Sequence, residues 1–211
     1  GIDMDYLYDG SFEGFLCCIY LHYYEEKATG IYPQDLYQNK LLQPWRMVET
    51  DDARAEKVYE AIGSKISELS LKRVYYLFLS NGEAKEKIAL DYLRLGFRMG
   101  SRVDSLHSHP VVYNAQQLAQ KVSKEAHLLT GLVRFSVLEV DSAEGVKELL
   151  YSKIEPDHDV LELLGEHHVD LIAKPVDEAL QRIADEPVDA GLPITAGSGQ
   201  FEVVAVPSQV V

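Results

Sequence analysis

The hydrophobic pattern changes period most plainly near Gly131, and that change limits the possible folds more than any other feature. From Phe12 to Leu129 apolar residues recur mostly at three- and four-residue spacing; from Leu132 they alternate. A 3.6-residue period gathers apolar side chains on one face of a helix, whereas a period of two gathers them on one face of a strand. The expected fold is therefore α+β. Its mainly helical N-terminal two thirds should pack with a small antiparallel β hairpin or sheet, and an irregular C-terminal tail should follow. With 211 residues and 46% apolar content, the chain can bury a real core.

Local signals divide the chain further. Met4–Tyr8 alternates and is rich in Tyr, which predicts a short strand. Asp9-Gly10-Ser11 predicts a turn, with Ser11 capping a helix over Phe12–Tyr24. Residues 30–45 carry Pro33 and Pro44 and no clear period, so a long connection is expected there. Thr50-Asp51-Asp52 marks a helix start with the Thr50 hydroxyl as cap, and that helix should run to about Leu69. Residues 71–79 fit a buried helix or a strand. Residues 83–99 predict a strong helix ended by Gly100, and Pro110 opens another that Gly131 should end. Residues 132–140 and 149–154 predict a hairpin around a polar turn at 141–147. Beyond it the signals weaken: helices at 157–167 and 176–183, strands at 169–173 and 201–206, and a flexible Gly/Pro/Ser-rich stretch at 187–200.

Several function classes are disfavoured. No stretch of about 18 apolar residues exists, so no membrane partner is expected. The two cysteines, Cys17 and Cys18, are adjacent, which suits neither a disulfide framework nor a thiol metal site. With no basic-then-apolar leader, the expectation is a reducing cytoplasm, with Met4 as the natural start and no cofactor or metal. The net charge of −14 repels nucleic acid as a whole, but it is unevenly spread. Residues 1–70 hold 6 Lys/Arg against 13 Asp/Glu, residues 71–134 hold 10 against 5, and residues 135–211 hold 4 against 16. A basic middle between acidic ends would give one positive face, unless its cations pair with carboxylates elsewhere.

Four groups of residues could carry chemistry. Gly10 and Ser11, between a strand and a helix N-terminus, could present amides to an anion, although Asp9 and Glu13 oppose one. His107 and His109 could ligate a metal only weakly at this spacing, and solvent-facing or capping roles suit them better. Lys121, Lys124 and His127 fall on neighbouring turns of one helix face. Arg134 would return toward that helix after a turn at Gly131, and Glu125 would either hold Arg134 or orient His127 as an acid/base. A Glu125–Arg134 bridge fixing the helix to the hairpin explains the same residues without chemistry. Arg94, Arg98 and Arg102 form a basic stripe if their helix continues past Gly100, with Asp91 placed to neutralise one of them.

Six segments bear on kinship: YLYDGSFEGFL at 6–16, TDDARAEKVYEAI at 50–62, YLRLGFRMG at 92–100, HPVV at 109–112, KVSKEAHLLTGLVRF at 121–135 and YSKIEPDHDVLELLGEH at 151–167. In order and spacing they resemble a bacterial family of DNA metabolism proteins. That family carries a domain of unknown function, fused to uracil-DNA-glycosylase-like domains or encoded beside a radical-SAM DNA modification or repair protein. The resemblance implies a helix at 71–79 and one α+β domain over residues 4–167. It also implies a partner of the radical-SAM or uracil-DNA-glycosylase-like kind. After His167 the sequence departs from the family ending, so residues 168–211 are expected to be a divergent acidic appendage, partly flexible.

Three readings follow. The first is an accessory protein of DNA metabolism or repair that binds nucleic acid, preferably DNA, through Arg94, Arg98, Arg102, Lys121, Lys124 and Arg134. The second is a protein–protein interaction module without nucleic-acid affinity. The third is a nucleotide- or nucleic-acid-processing enzyme with His127 as acid/base, Glu125 as its orienter, Arg134 as anion clamp and His109 nearby. No nucleophile accompanies them in sequence, so whether the chain is an enzyme stays open.

Overall fold

The architecture is that of a computed structural model, which describes residues 3–132, 136–142, 145–154, 157–160, 163, 172–175, 194–198 and 201–207. The chain divides into two compact units, Gly1–Gln120 and Lys121–Val211.

The first unit is built around one strand. Met4–Tyr8 (β1) is the middle of a three-stranded sheet, flanked by Ala28–Pro33 (β2) and Trp45–Met47 (β3). Both pairings are parallel, with Tyr6 opposite Ile31 and Arg46. Within this unit that corrects the expectation that the helices pack with a small antiparallel hairpin or sheet; the antiparallel strands expected at 132–140 and 149–154 belong to the second unit. The physical reason is the crossover: β1 leads into Phe12–Tyr24 (α1), and a helix between two neighbouring strands returns the chain parallel. A central strand covered on both faces is buried at successive positions, and Asp5, Tyr6, Leu7 and Tyr8 all are. Pro33 ends β2 and Pro44 comes just before β3, both edge strands, where a missing N–H costs no ladder bond.

The helices follow the apolar spacing with two changes. Asp52–Ala61 (α2) is capped by Asp51, whose carboxylate accepts from Arg54 N at 3.1 Å, not by Thr50. The helix does not continue to Leu69. It widens into a π-helical turn at Ile62–Ile66 and stops at Ser67, which caps Glu68–Phe78 (α3) by accepting from Ser70 N at 2.9 Å. Lys85–Met99 (α4) ends at Gly100, whose φ of +63° is a left-handed value that favours glycine. A 3₁₀ segment, Gly100–Ser105, then leads toward Pro110–Leu132 (α5), so Gly131 lies within α5 and does not end it. Phe15, Ile19, Ile62, Val74, Leu77, Leu90, Tyr92 and Leu93 are among the core residues.

In the second unit the described strands are Ser136–Ser142 (β4), Gly145–Ile154 (β5), Ile172–Pro175 (β6), Ile194–Ser198 (β7) and Phe201–Pro207 (β8). Their order is β4-β5-β8-β7-β6. β4 pairs antiparallel with β5 from Ser136–Tyr151 to Ser142–Gly145, so strand pairing reaches into the stretch expected to be a turn at 141–147. β7 runs through part of the stretch expected to be flexible. The helix expected at 176–183 lies outside the described residues.

Candidate functional site

The turn between β1 and α1 is closed by its own carboxylate. Ser11 caps α1, its Oγ accepting from Gly14 N at 2.9 Å. Asp9 then accepts from Ser11 N at 2.9 Å, from Ser11 Oγ at 2.5 Å and from Thr50 Oγ1 at 2.8 Å. Burial alone would raise the Asp9 pKa, but the bonds from Ser11 and Thr50 outweigh it and hold the carboxyl below its ordinary range. The Ser11 amide that was expected, with that of Gly10, to meet an anion is therefore turned to Asp9. A Cβ at Gly14 would collide with Asp9 Oδ1 and lie 3.0 Å from Thr50 Oγ1, so glycine is what admits this arrangement.

The histidines at the end of the first unit serve the start of α5. His109 Nδ1 accepts from Val111 N at 3.2 Å, and His107 Nδ1 shares a 2.6 Å hydrogen bond with Gln116 Nε2. Among the described residues no group of three or more His, Cys, Asp or Glu could hold a metal ion. Glu125 lies in the second unit and accepts from His158 N at 2.9 Å. It does not face His127, because residues two apart on a helix point to different sides, and His127 is exposed. Lys121 and Lys124 are exposed on α5, and Arg134 lies outside the described residues.

The arginine stripe is shorter than expected. Arg94 and Arg98 are exposed one turn apart on α4, but Gly100 interrupts the helix. Arg102 sits on the 3₁₀ segment and donates from Nε to Met99 O at 3.2 Å. Asp91 is taken by Lys87 Nζ at 2.9 Å, and neither Arg94 nor Arg98 has an ion-pair partner among the described residues.

Beside these two arginines lies a cleft that the sequence reading did not single out. It measures about 390 Å³ and is lined by Tyr20, Tyr23 and Tyr24 of α1, Lys57 of α2, Lys65 of the π turn and Phe97 of α4. Tyr20 and Tyr24 stack at 4.5 Å between ring centres, 28° from parallel. Tyr23 meets Phe97 edge-on at 5.4 Å, and the Arg54 guanidinium lies 5.2 Å above the Tyr20 ring. Tyr23 and Tyr24 remain 48% and 73% exposed, so these rings leave much of their surface to solvent. Burial raises the Tyr23 phenol above its ordinary value, and the neighbouring charges of Arg94 and Arg98 offset only part of that rise. In sequence Tyr20 and Tyr23 belong to the apolar stripe of α1, and a stripe does not reveal which of its rings meets water. Tyr24 and the two lysines carried no signal at all.

The arrangement is that of an α+β protein with an aromatic, cation-rimmed cleft and no complete catalytic set among the described residues. Residues 83–175, from just before α4 to the end of β6, are similar to a domain of unknown function, DUF4130. No curated protein and no solved structure matches the chain. Among the described residues, no helix is long and apolar enough to cross a membrane.

Proposed function

We propose that this chain is an accessory protein of DNA metabolism that binds nucleic acid through the cations of its central segment. The observation that carries the reading is Arg94 and Arg98, exposed one turn apart and without carboxylate partners among the described residues. Two exposed guanidiniums at this spacing suit successive phosphates. The resemblance to the DNA metabolism family supports the same reading. It supplies the proposed partner, a radical-SAM or uracil-DNA-glycosylase-like protein that would carry out the chemistry.

Salt titration of binding to a labelled oligonucleotide tests this. Each phosphate neutralised on a single strand contributes a slope of roughly −0.7 in log affinity against log salt. Arg94→Gln with Arg98→Gln should weaken binding and flatten that slope by about one to one and a half. Absence of binding at low ionic strength, or binding indifferent to salt, overturns the proposal.

A second reading, a protein interaction module, is favoured by Leu36, Leu41, Leu42, Trp45 and Met47. These apolar side chains are exposed on β3 and in the segment before it. Co-purification of the partner with the Arg94→Gln, Arg98→Gln variant, and no nucleic-acid affinity in the unmodified chain, would favour this reading over the first.

A further inference from the structure

We infer that the cleft between α1, α2 and α4 stacks the unpaired bases of a single-stranded nucleic acid. This rests on the nucleic-acid reading above and narrows its substrate class. Tyr20, Tyr23, Tyr24 and Phe97 line one cleft, yet Tyr23 and Tyr24 keep 48% and 73% of their surface in water. Aromatic side chains normally bury much of their area, so exposed rings gathered around a cavity favour a flat, apolar occupant. At about 390 Å³ the cleft lies within the size range of small-molecule sites.

The rim selects among flat occupants. Lys57 and Lys65 line the cleft, Arg54 caps the Tyr20 ring, and Arg94 and Arg98 lie close enough to Tyr23 to act on its phenol. Arg54 also lies 3.8 Å from Asp51, an exposed pair that leaves most of its charge to solvent screening. Rings inside and cations around them match a base with its flanking phosphates. An aliphatic ligand would gain nothing from the cations, and an acidic peptide would leave the rings uncovered. Duplex DNA also fits poorly, because its base faces are covered by their neighbours and only edges reach the grooves. Unpaired bases offer a π face to each ring, and that stacking tolerates any sequence.

The experiment uses the full chain and fluorescence anisotropy, with a labelled oligothymidylate of about fifteen residues and a hairpin duplex of matching charge. The expected result is at least tenfold tighter binding of the single strand. Tyr24→Ala and Tyr23→Ala should each weaken it roughly five- to hundredfold with the salt slope unchanged, and Tyr24→Phe should restore most of the affinity, since the ring is kept. Tyr24 is too exposed for its loss to unfold the chain, which circular dichroism would check. Equal affinity for strand and duplex, or unchanged affinity in both alanine variants, overturns the stacking site and leaves the phosphate-binding reading standing. Complete displacement of the strand by a mononucleotide at equal base concentration also overturns it, assigning the cleft to a free nucleotide. Binding of neither probe at low salt overturns both readings.

Discussion

Gly14 shows how one missing atom can organise a turn. On an exposed helix, glycine to alanine gains about 1 kcal/mol of helix propensity. Here the added methyl would enter the space of the Asp9 carboxylate and break up its bonds to Ser11 and Thr50. Those three exposed bonds, at about 0.5–1.5 kcal/mol each, together outweigh the gain. Gly14→Ala should therefore lower the melting temperature, and Asp9→Asn should lower it too; a more stable Gly14→Ala protein would refute the account. His22 makes a second residue-scale case. It is buried, and its Nδ1 accepts from Ala28 N at 2.9 Å. Burial first, then the charges of Arg94, Lys27 and Lys87, hold its pKa below the ordinary 6.5. The unfolded chain thus takes up a proton that the folded chain refuses. Stability is full above that ordinary value and is lost as pH falls below it. Thermal melts between about pH 7.5 and 5.5 should show a fall in the native protein and a smaller one in His22→Asn, which keeps an acceptor near Nδ1 but does not titrate.

At the scale of elements, legibility followed the strength of the local signal. β1 and α1 were readable because period, turn and cap agreed, and Gly100 marked the end of α4 for the same reason. The helix expected from Thr50 to Leu69 failed at two places. Thr50 gives its hydroxyl to Asp9, a residue 41 positions earlier, which no local pattern reveals. Ser67 is a proper N-cap inside a continuing apolar period, and the π turn before it keeps Ile62 and Ile66 buried, so the spacing hides the break. β2 escaped notice because Gly30 and Pro33 interrupt its alternation, and β3 because three residues are too few to show a period. Ser67→Ala should destabilise α3 by about 1 kcal/mol, and Ser67→Asp should be close to neutral once Asp104 is neutralised, both read from denaturant midpoints. Ser67 also donates to Asp104 at 3.0 Å, so the aspartate substitution isolates the cap only if Asp104→Asn is made with it. The candidate site was half legible: charge showed Arg94 and Arg98, but only folding brings α1 rings beside α4 cations.

For the whole molecule, a net charge of −14 sets the background against which any cationic site must work. The same repulsion that weakens duplex binding everywhere else would keep a strand confined to the cleft, so affinity should depend little on length once the cleft is filled. Oligothymidylates of about eight and about thirty residues should then differ by less than tenfold beyond the statistical gain of extra registers. Cys17 and Cys18 give access to the same whole. Successive helix positions point about 100° apart, yet both thiols are buried, so α1 is surrounded on more than one side. Burial also raises both thiol pKa values, which suppresses the reactive thiolate. A disulfide reagent should therefore reach them only when α1 comes loose from its neighbours. Their labelling rate becomes a clock, native to the chain, that counts how often the first unit opens.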